Sequence, residues 1–189
     1  MTISNVTKVF AVSDAAVASV TADVTTAPTY SALVDLPGIK KVGLTFDMKN
    51  VELRGDNKRL DSDTILVGCK VTFDHAKLSL DALPILIGGS AAAQTGSTPA
   101  QVSKYKRTGT DVMPYFFFGA KTPTAGGDLS AGDVHLQVFK LKVSAYNLGL
   151  AEEDYQIFSG EASGVFPISS DTLFQLALYE TAAAITTAL

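Results

Sequence analysis

The sequence lacks tryptophan and contains only one cysteine and two histidines among 189 residues. A single cysteine, Cys69, excludes an intramolecular disulfide and a cysteine-rich metal site. Because it alternates with Val67 and Val71, we expect it to be a small buried core residue and not a reactive thiol. Neither His75 nor His135 stands at a spacing typical of metal ligands. We therefore predict no bound metal.

Sequence signatures of catalysis are also missing. The chain has neither the G-x-S-x-G turn of a serine hydrolase nor a phosphate-binding glycine loop. Asp61 and Asp63, and the acidic residues at 152–154, lack the regular oxygen spacing of a calcium loop. We therefore expect a protein that is not an enzyme and that uses no cofactor, and a hydrolase is the least favoured hypothesis.

Long apolar runs are absent, and charge is scarce at 18% of residues. The longest apolar run, residues 82–89, is far shorter than the ~20 residues of a membrane helix. The N-terminus lacks the basic and then apolar pattern of a signal peptide. We expect a protein that is made and kept in a cytoplasm, without membrane contact.

Positive charge is missing from one part of the chain. Residues 145–189 carry six acidic residues and no lysine, arginine or histidine, whereas residues 1–144 carry a small excess of bases. The net charge of −4 gives no general reason to expect nucleic-acid affinity.

The residues that are abundant favour β structure. Valine, threonine and phenylalanine are frequent, and 47% of residues are hydrophobic. Residues 42–46 and 65–73 alternate with period two, as a strand with one buried face does. Residues 134–143 alternate with a change of phase at Val138 and Phe139, which suggests a bulge, a twist, or a strand that is buried on opposite faces along its length. We predict a mainly β protein, an antiparallel β-sandwich or barrel in one domain over residues 1–189.

Long loops or arms are expected at the periphery. Residues 1–35 are apolar but weakly patterned, so they either pack on their own domain or lie on a neighbour. Residues 90–103 carry no charge and predict a long loop. Residues 172–180 are compatible with a last strand or with a helix, and residues 181–189 could form a C-terminal arm.

One short helix is predicted to pack on the sheet. Ser79 suits the cap of a helix that starts at Leu80, and Gly88 suits its left-handed stop. Pro84 removes a helical hydrogen bond, so the start of the helix should be short or irregular. The apolar positions at helical spacing are Leu80, Leu83 and Ile87.

A stretch dense in both charge signs separates the strands at residues 42–46 and 65–73. Because unpaired buried charges are costly, this stretch must project into water or meet a complementary surface, and we predict a long loop. Its nine charged residues are Asp47, Lys49, Glu52, Arg54, Asp56, Lys58, Arg59, Asp61 and Asp63.

Two segments resemble the major tail (tube) proteins of long-tailed bacteriophages. They are VELRGDNKRL at residues 51–60 and KVTFDHAKLSLDALPILIGG at residues 70–89. Those proteins share a strand, a polar loop with Gly-Asp, a strand, and a helix that ends in Gly-Gly. Here the loop has Gly55-Asp56 and the helix stops at Gly88-Gly89, while Pro84 departs from the family pattern. The resemblance covers about fifty residues well and carries no catalytic signature.

The resemblance implies a structural virion protein. It implies hexameric rings that stack into a hollow tube through which DNA passes without specific binding, with tape measure and tail terminator or tip proteins as partners. We expect the nine charged residues from Asp47 to Asp63 to contact the next ring.

Tubes of this family are similar in having a negative lumen, because basic residues would bind DNA phosphates. Residues 155–164, with small side chains around one carboxylate, predict a strand that lines the channel. The candidate lumen residues are Glu152, Glu153, Asp154 and Glu161.

A β-sandwich binding module, such as a capsid decoration protein or an adhesin, is the alternative. It would need a ligand patch, and only the aromatic segment from Tyr115 to Phe118 offers one. Aromatic side chains on both faces of that strand also favour a central or interface strand.

Overall fold

The chain folds into an open, curled sheet. Its structure, a computed structural model, is mainly β, with 59% strand and 3% helix, and the antiparallel sheets form a half-barrel. This confirms the predicted antiparallel β fold with one short helix; the barrel is half open. The structure describes residues 8–9, 11–24, 27–55, 58–125, 132–149 and 155–188.

Ten strands share one antiparallel sheet, and two strands form a separate hairpin. The elements in chain order are β1 (Lys8–Val9), β2 (Asp14–Ala22), β3 (Thr29–Tyr30), β4 (Val34–Asp35), β5 (Ile39–Gly55), β6 (Lys58–His75), α1 (Leu83–Ile87), β7 (Ser90–Thr95), β8 (Val102–Lys106), β9 (Phe116–Ala125), β10 (Asp133–Asn147), β11 (Phe158–Gly164) and β12 (Phe174–Tyr179). The main path runs β3-β2-β9-β10-β11-β6-β5, with β1 beside β9, β12 beside β10 and β4 beside β2.

The sheet curls around an aromatic and aliphatic core. Phe73 on β6 stacks on Phe118 on β9 with ring centroids 5.4 Å apart, although β10 and β11 lie between these strands in the sheet. This contact is possible only if the sheet bends toward the side that carries both rings. We call this side the inner face. Helix α1 packs on it through Leu83 and Leu86.

The helix is shorter than predicted and begins three residues later. It spans Leu83–Ile87, and residues 80–82 form a turn in which the Ala82 amide donates to Ser79 Oγ at 3.3 Å. Pro84 therefore occupies the first helical turn, where no hydrogen bond is lost. Gly88 ends the helix with a φ of 77°, which favours glycine, but its ψ of −170° is extended and not the predicted left-handed helical conformation.

A smaller cluster covers the opposite, outer face. Phe117 and Phe139 are buried there with Ile185 of the C-terminal segment. Residues 182–188 are not a free arm within this chain, since the Gln137 amide donates to the Thr186 carbonyl at 2.7 Å. Residues 14–22, 29–30 and 34–35 likewise form strands of the sheet, so these parts of the N-terminal segment pack on their own domain.

Three local predictions have clear outcomes. The predicted loop at residues 90–103 is wrong in part, because β7 and β8 pair there as an exposed hairpin. The strands were missed because residues 90–103 are uncharged and mostly small, so they show no alternation of apolar and polar residues. The phase change in β10 is confirmed by a register irregularity between Val138 and Leu141 in the pairing with β9. Residues 174–179 are a strand, β12.

Candidate functional site

The predicted charged loop is a long two-stranded ribbon. Beyond Cys69, β6 no longer pairs with β11, and residues 48–55 and 58–66 pair only with each other. At a strand rise of about 3.3 Å per residue, this ribbon projects roughly 25 Å from the sheet. The loop prediction was wrong because charge excludes burial and does not exclude extended structure. A ribbon with water on both faces accommodates charges at alternate positions.

One face of the ribbon combines apolar and acidic side chains. Directly opposed residues of an antiparallel pair lie on the same face, and β5 and β6 pair Lys49 with Ile65, Val51 with Asp63 and Leu53 with Asp61. We call these six residues the apolar-acidic face. Val51, Leu53 and Ile65 are 46%, 62% and 51% exposed.

The other face of the ribbon is mostly polar and makes its own contacts. Thr64 Oγ1 donates to Asn50 Oδ1 at 2.7 Å across the strands. Arg54 donates through Nε and Nη2 to Glu52 Oε2, at 2.9 and 2.7 Å. These charges are matched within the ribbon, so less of their charge is available to a partner.

The ribbon holds most of the residues predicted to contact the next ring. Asp47 lies where the ribbon leaves the sheet, beside a register irregularity. Lys58 and Arg59 belong to β6, but their side chains lie outside the described part of the structure, as does Asp56 altogether. The apolar-acidic face contains Lys49, Asp61 and Asp63, and the opposite face contains Glu52 and Arg54.

An open groove lies on the inner face, away from the helix. It has a volume of about 420 Å³, and Ala120 and Leu136 join its floor to the core. Lys40 and Lys41 line it and are exposed. Its remaining lining residues are Val9, Ala11, Val12, Val42, Lys121, Thr122, Val134 and Leu176. Sequence reasoning missed this groove because its residues come from distant segments, which no local pattern connects.

Glu161 lies on the outer face of β11 and is paired. Its Oε2 atom lies 2.7 Å from Lys70 Nζ, and both side chains are a little under half exposed. Phe158, Gly160 and Ala162 face the core, so Ser159 and Ser163 share the exposed side with Glu161.

The other predicted lumen residues, Glu152, Glu153 and Asp154, lie outside the described residues. Their part of the prediction has no structural outcome.

The histidines and the cysteine are core residues. His75 is fixed between the Lys77 carbonyl and the Tyr146 hydroxyl, at 2.8 and 2.7 Å. Burial raises the pKa of Cys69 to about 11, with a further contribution from Asp47, which confirms the prediction of a buried cysteine. Across the described ranges, no group of three or more His, Cys, Asp or Glu residues could hold a metal ion.

Within the described ranges, His135 is the buried polar side chain whose ring nitrogens lack hydrogen-bond partners. It is fully buried. Asp133 Oδ2 lies 3.8 Å from Nε2, beyond hydrogen-bonding distance. Desolvation lowers the pKa of His135, against an opposing effect of Asp133. The ring contacts Tyr179 in a tilted arrangement, with 4.4 Å between centroids and 45° between the ring planes.

In the part of the chain that is described, no helix is long and apolar enough to cross a membrane. A scan of the chain against protein-family models and a search of curated proteins found no match.

Proposed function

We propose that this chain is a structural subunit that assembles with its own copies into stacked hexameric rings, the tail tube of a long-tailed phage. In this proposal it is not an enzyme. DNA passes through the lumen without specific binding, and the tape measure and tail terminator or tip proteins are its partners. The subunit assembles in the host cytoplasm and then belongs to the virion.

The projecting ribbon is the observation that carries this proposal. An isolated two-stranded ribbon is marginally stable in water, and this one exposes Val51, Leu53 and Ile65 on a single face. Such a face gains stability when a partner covers it, since each buried Å² of apolar surface contributes about 25 cal/mol. A partner that is another copy gives a repeating contact.

The open edge of the half-barrel also supports self-assembly. β5 ends the strand order of the sheet and spans 17 residues. An edge strand of this length presents backbone N–H and C=O groups that another chain can pair with. Copies that pair edge to edge would continue the curved sheet from one chain to the next.

A ligand-binding module is less well supported. The only aromatic patch that the sequence offered for a ligand is Tyr115–Phe118, and Phe116, Phe117 and Phe118 are fully buried. Only Tyr115 is exposed, at 39%, and its ring lies 4.9 Å from Lys140 Nζ. The strand that carries these phenylalanines is central in the sheet, and their side chains are buried on both of its faces.

Sedimentation and negative-stain electron microscopy of the purified protein test the proposal. We expect hollow tubes from the native chain. A variant in which Asn-Gly replaces residues 49–65 keeps the pair Met48–Leu66 next to a two-residue turn, and it should fold and fail to form tubes.

A matched control shortens the other exposed hairpin. Asn-Gly in place of residues 96–101 joins the paired Thr95 and Val102, and tubes should persist. A native chain that stays monomeric at every concentration, or a ribbonless variant that assembles normally, would contradict the proposal.

A further inference from the structure

We propose that the groove on the inner face binds the apolar-acidic face of the ribbon of a neighbouring copy. This inference rests on the proposed function and adds the receptor for the ribbon. The two surfaces match in both apolar and charged character, and they lie at opposite ends of the same strand.

The groove offers an apolar floor with cations beside it. Val42, Val134 and Leu136 lie on its lining, and Leu176 is 62% exposed there although it belongs to a strand of the sheet. Lys40 is exposed on the β5 side at a register irregularity, and Lys41 is exposed directly opposite Asp74 in the pairing with β6. Among the described residues, neither has a carboxylate within ion-pair distance.

The ribbon offers the complementary pattern. Val51, Leu53 and Ile65 supply the aliphatic side chains, and Asp61 and Asp63 stand directly opposite two of them. Among the described residues, the Oδ1 atom of each carboxylate accepts from the next backbone amide at 2.8 Å and the other oxygen has no hydrogen-bond partner, which leaves it available to a cation. Opposite charges beside an apolar contact select the register in which both are satisfied.

A copy cannot fill its own groove with its own ribbon. Lys41 and Leu53 belong to one extended strand, β5, and the twelve residue steps from one to the other correspond to roughly 40 Å. The contact must therefore join two copies, and it joins different surfaces of each. A head-to-tail contact either closes into a ring or repeats as an open stack, and in the proposed tube it repeats along the axis as an open stack.

Charge reversal tests the contact. K40E/K41E and D61K/D63K should each shorten or abolish tubes, and raised salt should weaken assembly of the native chain. The quadruple variant, which carries both reversals, should recover tubes because every groove again faces the opposite charge. K104E/K106E, which reverses exposed lysines on β8, is the matched control and should assemble normally.

Cysteine cross-linking gives a second readout that does not depend on tube length. L53C/L176C should form a ladder of disulfide-linked multimers under mild oxidation, since the two positions meet only between copies. L53C/V112C is the control, because Val112 is 78% exposed and lies outside the groove. The native Cys69 is buried and should not contribute.

The outcomes separate this inference from the proposed function. Native tubes together with full-length K40E/K41E tubes, or with no L53C/L176C ladder, would overturn the groove as receptor and leave the tube proposal standing. Absence of tubes from the native chain would overturn the proposed function itself.

Discussion

Ile185 fills the space that a side chain at Gly119 would occupy. A Cβ atom placed on Gly119 would lie 2.5 Å from Ile185 Cγ2 and 3.0 Å from the Phe117 ring. Ile185 therefore holds the C-terminal segment on the outer face by packing directly against the β9 backbone at Gly119. Two further hydrogen bonds hold the same segment. Asp133 Oδ2 accepts from the Ala183 amide, and Lys121 Nζ donates to the Ala183 carbonyl.

Gly119→Ala should displace the C-terminal segment. The added methyl group cannot be accommodated beside Ile185 and Phe117, and overpacking of this kind costs about 1–3 kcal/mol. Hydrogen exchange at the Ala183 amide should become faster, while exchange in β10 stays slow. Gly109→Ala is the matched control because nothing lies within 4 Å of its Cβ position. Unchanged exchange at Ala183 would contradict this account of the segment.

A buried ion pair fastens the loop before β12 to β2. Asp23 accepts from Lys140 Nζ at 2.6 Å and from the Ile168 and Ser169 amides at 2.9 and 3.1 Å. Removal of one partner of a buried pair costs about 3–5 kcal/mol. Asp23→Ala should therefore lower the free energy of unfolding by this amount in urea denaturation. A loss under 1 kcal/mol would show that the pair is not stabilising.

The same pair should add acid sensitivity. Desolvation alone would raise the pKa of Asp23, but the hydrogen bonds from Lys140, Ile168 and Ser169 outweigh it and hold the pKa well below its ordinary range. A carboxyl with a lowered pKa in the folded state contributes stability that is present above the unfolded pKa of about 3.9. That contribution is lost as the pH falls below this value.

His135 should make stability depend on pH in a higher window. Desolvation lowers its pKa, with Asp133 opposing and Lys121 adding to the decrease. As the pH falls below the unfolded value of about 6.5, the unfolded chain takes up a proton first, so folding is weakened. The free energy of unfolding should fall between pH 7 and pH 5.

His135→Leu should reduce that fall, because an apolar side chain replaces a buried group without a partner. Part of the pH dependence should remain, since desolvation also lowers the pKa of His75. Urea titrations at pH 5, 6 and 7 measure both effects. Equal slopes for the native chain and the variant would rule out His135 as their source.

The strands were predictable wherever one face is buried. Val71 and Phe73 are buried and alternate with half-buried residues, and this difference between the two faces appears in the sequence as a period of two. The ribbon was not predicted because neither of its faces is buried within one chain. Without a buried face, charged and apolar residues show no regular period-two alternation along its strands. Cys69 and the aromatic strand at 116–118 were predictable because their burial follows from local pattern alone.

The groove and the Lys70–Glu161 pair could not be predicted from the sequence. Lys70 and Glu161 are 91 positions apart along the chain, and they meet because the register of β6 and β11 places Ser163 opposite Lys70 and Glu161 opposite Thr72. Such proximity is a property of strand order. Sequence patterning carries information on which residues are buried and little on which strands are neighbours.

Glu161→Lys tests whether the outer face of β11 lines the DNA channel. Fold stability should change by no more than about 1 kcal/mol, because the pair with Lys70 is substantially exposed. Phage particles with this subunit should eject DNA more slowly, since each ring gains cations that bind phosphates. The exchange K70E/E161K keeps the net charge and should eject normally. A normal rate for Glu161→Lys would remove Glu161 from the lumen.

Cryo-electron microscopy of the assembled native protein tests the central claim most directly. The measurement is the position of Leu53 at the end of one copy relative to the nearest surface of the next. The account predicts stacked rings around a hollow channel, with the ribbon crossing each ring boundary and Leu53 buried against a second copy. Rings or filaments in which Leu53 remains exposed to solvent, or particles that never exceed a monomer, would contradict it.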